Sequence, residues 1–192
     1  MQGDLKRLDA LGYYSKKFQR VRVDRAHGIA PHKPILLLSV IEHIQKKSIS
    51  ENKIFLTSAL IQTFLKYWVY LGSPTHNPDI SKPFFHMKSG KFWHLWPNPK
   101  FEKILSSKIK LKTFAEVKRA IKYAYLDEDL FELLQDLEYC ESLSRIIVSR
   151  WFPGRWALVK QIGSSQPLND EVSALMQYHG KFYSKADIGD WK

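Results

Sequence analysis

The segment Ile35-Leu36-Leu37-Leu38-Ser39-Val40-Ile41-Glu42-His43-Ile44 constrains the fold more than any other part of the chain. Wound as an α-helix it is apolar almost all round, and such a helix belongs where other elements cover it on several sides. Pro31 and Pro34 ahead of it suit a turn and then a first helical turn, where a missing N–H costs no hydrogen bond. A helical core must therefore form around this segment. With 192 residues, 44% of them hydrophobic, the chain has material for one such core and too little for two comfortable domains.

The rest of the pattern supplies the cover. Residues 5–25 mix apolar and basic groups and predict a short helix followed by an extended basic arm. Ile54-Phe55-Leu56 reads as a short strand. Thr57 or Ser58 then caps a helix that sets Leu60, Ile61, Phe64, Leu65, Trp68 and Val69 on one stripe. The loop Gly72-Ser73-Pro74-Thr75-His76-Asn77-Pro78-Asp79 breaks it. Residues 84–88 and 91–96 flank Ser89-Gly90, which predicts a tight β-hairpin with Met87 opposite Phe92 and His86 opposite Trp93. In that register His86 and His94 fall on opposite faces.

Beyond Pro97-Asn98-Pro99 a helix is expected from about Thr113 to Tyr125. An acidic helix follows, with Leu126, Leu130, Phe131, Leu134 and Leu137 on one face. Another carries Leu143, Ile146, Ile147 and Trp151 and is stopped by Phe152-Pro153-Gly154. A linker-like tail with a weak helix near 169–178 ends the chain. The expected class is α+β and mainly helical, a compact helical domain with a β-hairpin. Its order of helix, strand, helix and hairpin is compatible with a winged-helix arrangement.

Charge is distributed unevenly. Residues 1–123 carry 23 Lys+Arg against 8 Asp+Glu, a net of +15, whereas residues 124–192 carry 7 against 11, a net of −4. A one-sided basic field is what binding to a dense polyanion requires, because phosphate contacts gain affinity by releasing condensed counterions. The competing explanation is a merely solubilising surface. Cys140 is the only cysteine, so neither a disulfide framework nor a thiolate zinc cage can form within one chain, and a reducing cytoplasm fits. No stretch has the length of apolar residues that a membrane span needs, and Met1–Lys6 lacks a signal-peptide core.

Two constellations bear on chemistry. At Pro31-His32-Lys33-Pro34 the unpaired N–H groups of a helix start, an imidazole and an amine can hold an anion; the alternative is an ordinary helix start with a solvated lysine. At Lys82-Pro83-Phe84-Phe85-His86, with Trp93-His94 beyond, an apolar surface beside a cation can receive a base edge or an apolar backbone atom; alternatively Phe84, Trp93 and Leu95 are core. The seven histidines show no metal-binding helical spacing, and no cofactor or metal is expected. Glu-x-Lys occurs at Glu51–Lys53 and Glu116–Lys118 without a strand and a metal-binding aspartate before it, and no Gly-x-Ser-x-Gly elbow or Gly-rich phosphate loop is present. No complete catalytic centre is visible.

The run from Ala30 to Leu38, the pair Lys82–Met87 and Gly90–Leu95, and Arg150-Trp151-Phe152-Pro153 together resemble the N-terminal region of predicted HNH-type restriction endonucleases. That region is similar to the sulfur-binding domain of modification-dependent enzymes that recognise phosphorothioated DNA. The resemblance spans roughly residues 20–153, and the order of its short motifs carries it. It implies a reader of double-stranded DNA in a restriction system, with cutting left to a separate HNH domain or subunit. It further implies a sulfur pocket at Pro83 of the Pro83-Phe84 motif, and DNA contacts from His32, Lys33, Lys108, Lys110 and Lys112; Arg22 and Arg25 of the basic arm, and Lys82 and His86 beside the proline, are expected DNA contacts from their charge and place in the sequence. Where the family tends to carry an aromatic residue before the proline and arginine at the basic positions, this chain has Lys82 and Lys33, and lysine cannot supply a bidentate fork. The expected division is an N-terminal helix and basic arm over 1–25, a recognition domain over 26–153 and a linker-like tail over 154–192. A different reading is a protein-interaction module, in which the acidic 126–141 region and the aromatic hairpin bind a partner. A metal-dependent nuclease is the third.

Overall fold

A computed structural model describes residues 2–104, 111 and 113–165. The apolar segment is the central helix, as its composition requires: α1 spans Gln2–Gln19 and α2 spans His32–Gln45, with every residue from Pro34 to Ile44 buried except His43. On one side of α2 lies α3 (Ser58–Leu71), begun by Thr57, whose hydroxyl accepts the Leu60 N–H at 3.2 Å. Its stripe Leu60, Ile61, Phe64, Leu65 and Trp68 is buried.

Residues 81–97 depart from the expected hairpin. Ser81–His86 forms α4 and Met87–Gly90 a 3-10 turn, so Met87 does not pair with Phe92, nor His86 with Trp93. Two local forces override the turn signal. The buried Asp79 carboxylate accepts the Ser81 N–H at 2.9 Å and the Ser81 hydroxyl at 2.5 Å, and Pro83 suits a first helical turn better than a strand. Phe84 and Phe85 are both buried, which adjacent residues of a half-exposed strand cannot be. Gly90 then packs on the Phe92 ring. A Cβ there would stand 2.5 Å from Cε1 of that fully buried side chain. Gly90→Ala is therefore expected to lower stability by about 1–3 kcal/mol, read as a reduced denaturant midpoint with unchanged slope.

The antiparallel pair exists with other partners. β1 (Trp93–Pro97) pairs with β2 (Ile121–Leu126), placing Trp93 opposite Leu126 and Leu95 opposite Ala124 on the buried face. Ile54 adds a bridge, exchanging backbone hydrogen bonds with Ala124 at 2.7 and 2.8 Å. The helix expected over 113–125 is cut short: α5 (Phe114–Ala120) opens with a Thr113/Glu116 capping box and ends where Ile121, Tyr123 and Tyr125 favour a strand.

The two helices expected next are both present with their boundary moved: the acidic one stops early as α6 (Glu128–Leu133), and α7 (Leu137–Trp151) carries Leu143, Ile146, Ile147 and Trp151. Asp136 accepts the Glu138 N–H at 2.9 Å and starts α7, leaving Leu137 62% exposed and not on the buried face. α7 packs on α2 and α1, and α8 (Trp156–Ser164) adds Val159 and Ile162 to the core. The weak helix expected near 169–178 lies outside the described residues. Mainly helical with one small antiparallel sheet among the described residues, the chain has the α+β class its sequence implies. No helix among the described residues is long and apolar enough to cross a membrane.

Candidate functional site

Three stretches are anchored so that they meet. The Trp151 indole N–H donates to the Phe18 carbonyl at 3.0 Å, and the Arg150 guanidinium to that of Gln19 at 3.3 Å, fixing the end of α1 from which the arm departs. The arm closes a loop in which the Ala30 N–H bonds the Asp24 carbonyl at 2.9 Å, with Gly28 in the left-handed region at φ +94°. The Thr75 hydroxyl donates to the His27 carbonyl at 2.8 Å, binding the 72–80 loop to this arm. Opposite them α4 is held by Trp93, whose indole N–H donates to the Phe84 carbonyl at 3.0 Å while its ring meets the Phe84 ring edge-on at 5.4 Å.

Between arm, helix start, loop and α4 lies a cleft of about 770 Å³. Arg22, His32, Lys33, Lys82, Pro83 and His86, all singled out by the sequence, line it together. Arg25 is exposed on the same arm outside the lining. Phe84 is 1% exposed and its ring packs on Trp93, so of that pair only the proline reaches the cleft wall. Lys108, Lys110 and Lys112 lie outside the described residues. The loop residues Thr75, His76 and Asn77, with His27 and Ser89, were not foreseen. For Thr75, His76 and Asn77 the sequence signal is a polar loop after α3, and for Ser89 a turn signal.

The electrostatics favour an anion. Among the described residues Asp24 is the one carboxylate lining the cleft, against Arg22, Lys33 and Lys82. No side chain caps the start of α2, which brings His32 and Lys33 to the cleft wall. The Lys33 amine donates to Ser89 Oγ at 3.2 Å; burial, helped by nearby Arg22, pushes its pKa down to about 8. His32 donates its Nε2–H to the Asn77 carbonyl at 2.7 Å and packs its ring on Trp68, centroids 4.6 Å apart. Burial holds this imidazole below its ordinary pKa, with His76 and Lys82 adding repulsion. Pro83, Ala30 and Val23 give the cleft an apolar side.

Elsewhere, His94 Nε2 lies 2.6 Å from Asp127 Oδ1, and the Tyr14 hydroxyl donates to Oδ2 of the same carboxylate at 3.1 Å. This trio ties α1, β1 and the start of α6 together. Among the described residues no group of three His, Cys, Asp or Glu side chains could hold a metal ion.

No family model matches the sequence, and neither does any curated protein. Among solved structures the chain is similar to the sulfur-binding domain of ScoMcrA, determined in complex with phosphorothioated DNA. The TM-score is 0.56 at 19% identity, over 85% of this chain and 98% of that one. The fold is shared.

Proposed function

We propose that this chain reads duplex DNA by seating a backbone phosphate in the cleft, with a preference for a phosphate in which sulfur replaces a non-bridging oxygen. The observation that carries this reading is the convergence of Arg22, Lys33 and Lys82 on a wall containing Pro83 and Ala30. Three cations facing one carboxylate attract the phosphate and set its register. The proline ring supplies discrimination of another kind. Sulfur is larger, more polarisable and less well hydrated than oxygen, so an apolar contact that costs an oxygen its hydration costs sulfur less. The shared fold with a domain solved on such DNA supports the same reading. Cutting then falls to a separate nuclease domain or subunit of a restriction system. Residues 26–153 are taken as the centre of the recognition unit, to which the arm of 1–25 adds Arg22 and α8 adds the core residues Val159 and Ile162.

Matched duplexes with and without one phosphorothioate, titrated at two salt concentrations, test both halves. Tighter binding to the modified duplex and a steep loss of both affinities with salt are expected. Equal affinities would remove the sulfur claim, and salt-independent or absent binding the DNA claim. Pro83→Ala should lower the preference for sulfur by about 1 kcal/mol while barely changing affinity for the unmodified duplex.

One observation favours a second reading. On the outer face of the sheet Trp96 is 52% exposed and stacks on Tyr123 at 5.8 Å, with Phe55 42% exposed beside it, a surface suited to a protein partner. Perturbation of these signals by a protein, with none by DNA, would favour it.

A further inference from the structure

Four of the seven histidines, His27, His32, His76 and His86, line the one cleft. They arrive separately, from the arm, the start of α2, the 72–80 loop and α4. Imidazole is the side chain whose charge changes closest to neutrality. The charged groups facing them are Arg22 and Asp24 from the arm, Lys33 from α2 and Lys82 from α4, with Asp79 acting on His32 from behind the loop. The fixed charge is already positive, and each proton taken up adds to it.

His32 shows how a proton would act. A carbonyl only accepts, so the bond to Asn77 fixes the hydrogen on Nε2, and the neutral ring carries a bare lone pair on Nδ1. Trp68 at 4.6 Å and His76 at 5.6 Å hold the ring between them. Toward a phosphate oxygen, Nδ1 is repulsive until protonated; protonation turns it into a donor and leaves the Asn77 bond intact. His76 has Nδ1 against the hydroxyls of Ser73 and Thr75 at 3.1 and 3.0 Å, while its Nε2 is buried with no hydrogen-bond partner among the described residues. Lys33 extends the set upward, since burial, helped by Arg22, pushes the pKa of its amine down to about 8.

We infer that the cleft takes its anion together with protons, so that a DNA phosphate binds the protonated form of the histidine wall and of Lys33, and affinity falls as pH rises from mildly acid to mildly alkaline. The inference rests on the proposed DNA reading and adds its regulation. The sign follows from linkage: a bound anion favours the charged form of each base, so binding consumes protons, and raising pH opposes it. A single group coupled by one pKa unit changes affinity about tenfold, so the loss between about pH 6 and about pH 8.5 should be at least roughly tenfold.

Titration calorimetry of the whole chain with a short phosphorothioate duplex and its unmodified twin tests this, at fixed ionic strength and in two buffers of different ionisation enthalpy. Net proton uptake on binding and the loss of affinity with pH are the expected results. The combined His27→Gln, His32→Gln, His76→Gln and His86→Gln variant should flatten the acid limb, and Lys33→Arg, whose guanidinium does not titrate, the alkaline limb. Thermal melting of both variants checks that they fold, and proton uptake by the unaltered chain remains decisive if they do not. Binding with no proton uptake and a pH-independent affinity overturns the inference and leaves the DNA reading standing. Undiminished uptake in both folded variants places the protons elsewhere and also overturns it. No binding at any pH overturns the DNA reading and this inference together.

Discussion

Glu42→Ala is expected to remove about 3–5 kcal/mol of folding stability. Glu42 sits in the central helix with its side chain 6% exposed, and Oε1 receives the Lys66 and Lys46 amines, each at 2.7 Å. Lys66, 5% exposed on α3, would be left as a buried ammonium facing alanine. Burial is the larger influence on Lys66 and lowers its pKa, so the intact pair adds little net stability, whereas breaking it is costly. Replacing both partners by apolar residues of similar volume should recover most of the loss. Denaturant unfolding of the single and double variants measures this. The acid limb adds a second readout. Burial would raise the Glu42 pKa, but the hydrogen bonds from Lys46 and Lys66 outweigh it and hold the carboxyl below its ordinary value. The carboxylate's contribution is therefore present above the unfolded carboxyl range and is lost as pH falls through the lowered folded value. That limb should be absent from Glu42→Ala.

Lys33→Ala should weaken binding to modified and unmodified duplexes alike by about 2 kcal/mol, roughly thirtyfold, and reduce the salt slope by about 1. It should do so without loss of folding stability. The amine is half-buried and bonded to a serine hydroxyl, with no carboxylate partner among the described residues, and its pKa is pushed down to about 8. A base with a lowered folded pKa makes the native state gain stability as pH rises through that value, so removing it relieves a cost at neutral pH. Weaker binding with equal or higher melting temperature marks a group kept for function. A fall in both, or in neither, would place Lys33 outside the interface.

Periodicity and caps made much of the helical frame legible. The all-round apolar run could only be central, and the Thr57 cap with its stripe yielded α3. Where signals competed, the stronger tertiary demand won. Ser89-Gly90 carries a turn signal, but the Asp79 bonds to Ser81, Pro83 and two adjacent buried phenylalanines made residues 81–86 a helix. Residues 121–125 could continue a helix by pattern, yet Ile54 and β1 offered them backbone partners. The cleft was legible as separate residues, because proline, lysine and histidine beside a helix start have recognisable chemistry. The contribution of His27, Thr75, His76 and Asn77 was not, since it depends on a loop folding back onto an arm some 50 residues earlier in the chain, and no local pattern encodes that meeting. Phe84 shows the opposite limit: its type suits a binding wall, while its position makes it core.

Amide hydrogen exchange on the chain with and without a saturating phosphorothioate duplex is the most direct measurement, because it reports where the duplex lies. Protection is expected over the arm and start of α2 at 22–33, the loop at 73–79 and the turn at 82–90, with the outer sheet face at 94–96 and 123–125 unchanged. Protection confined to that sheet face or to α7 and α8, with the cleft exchanging as in the free protein, would contradict the assignment of the cleft as the site.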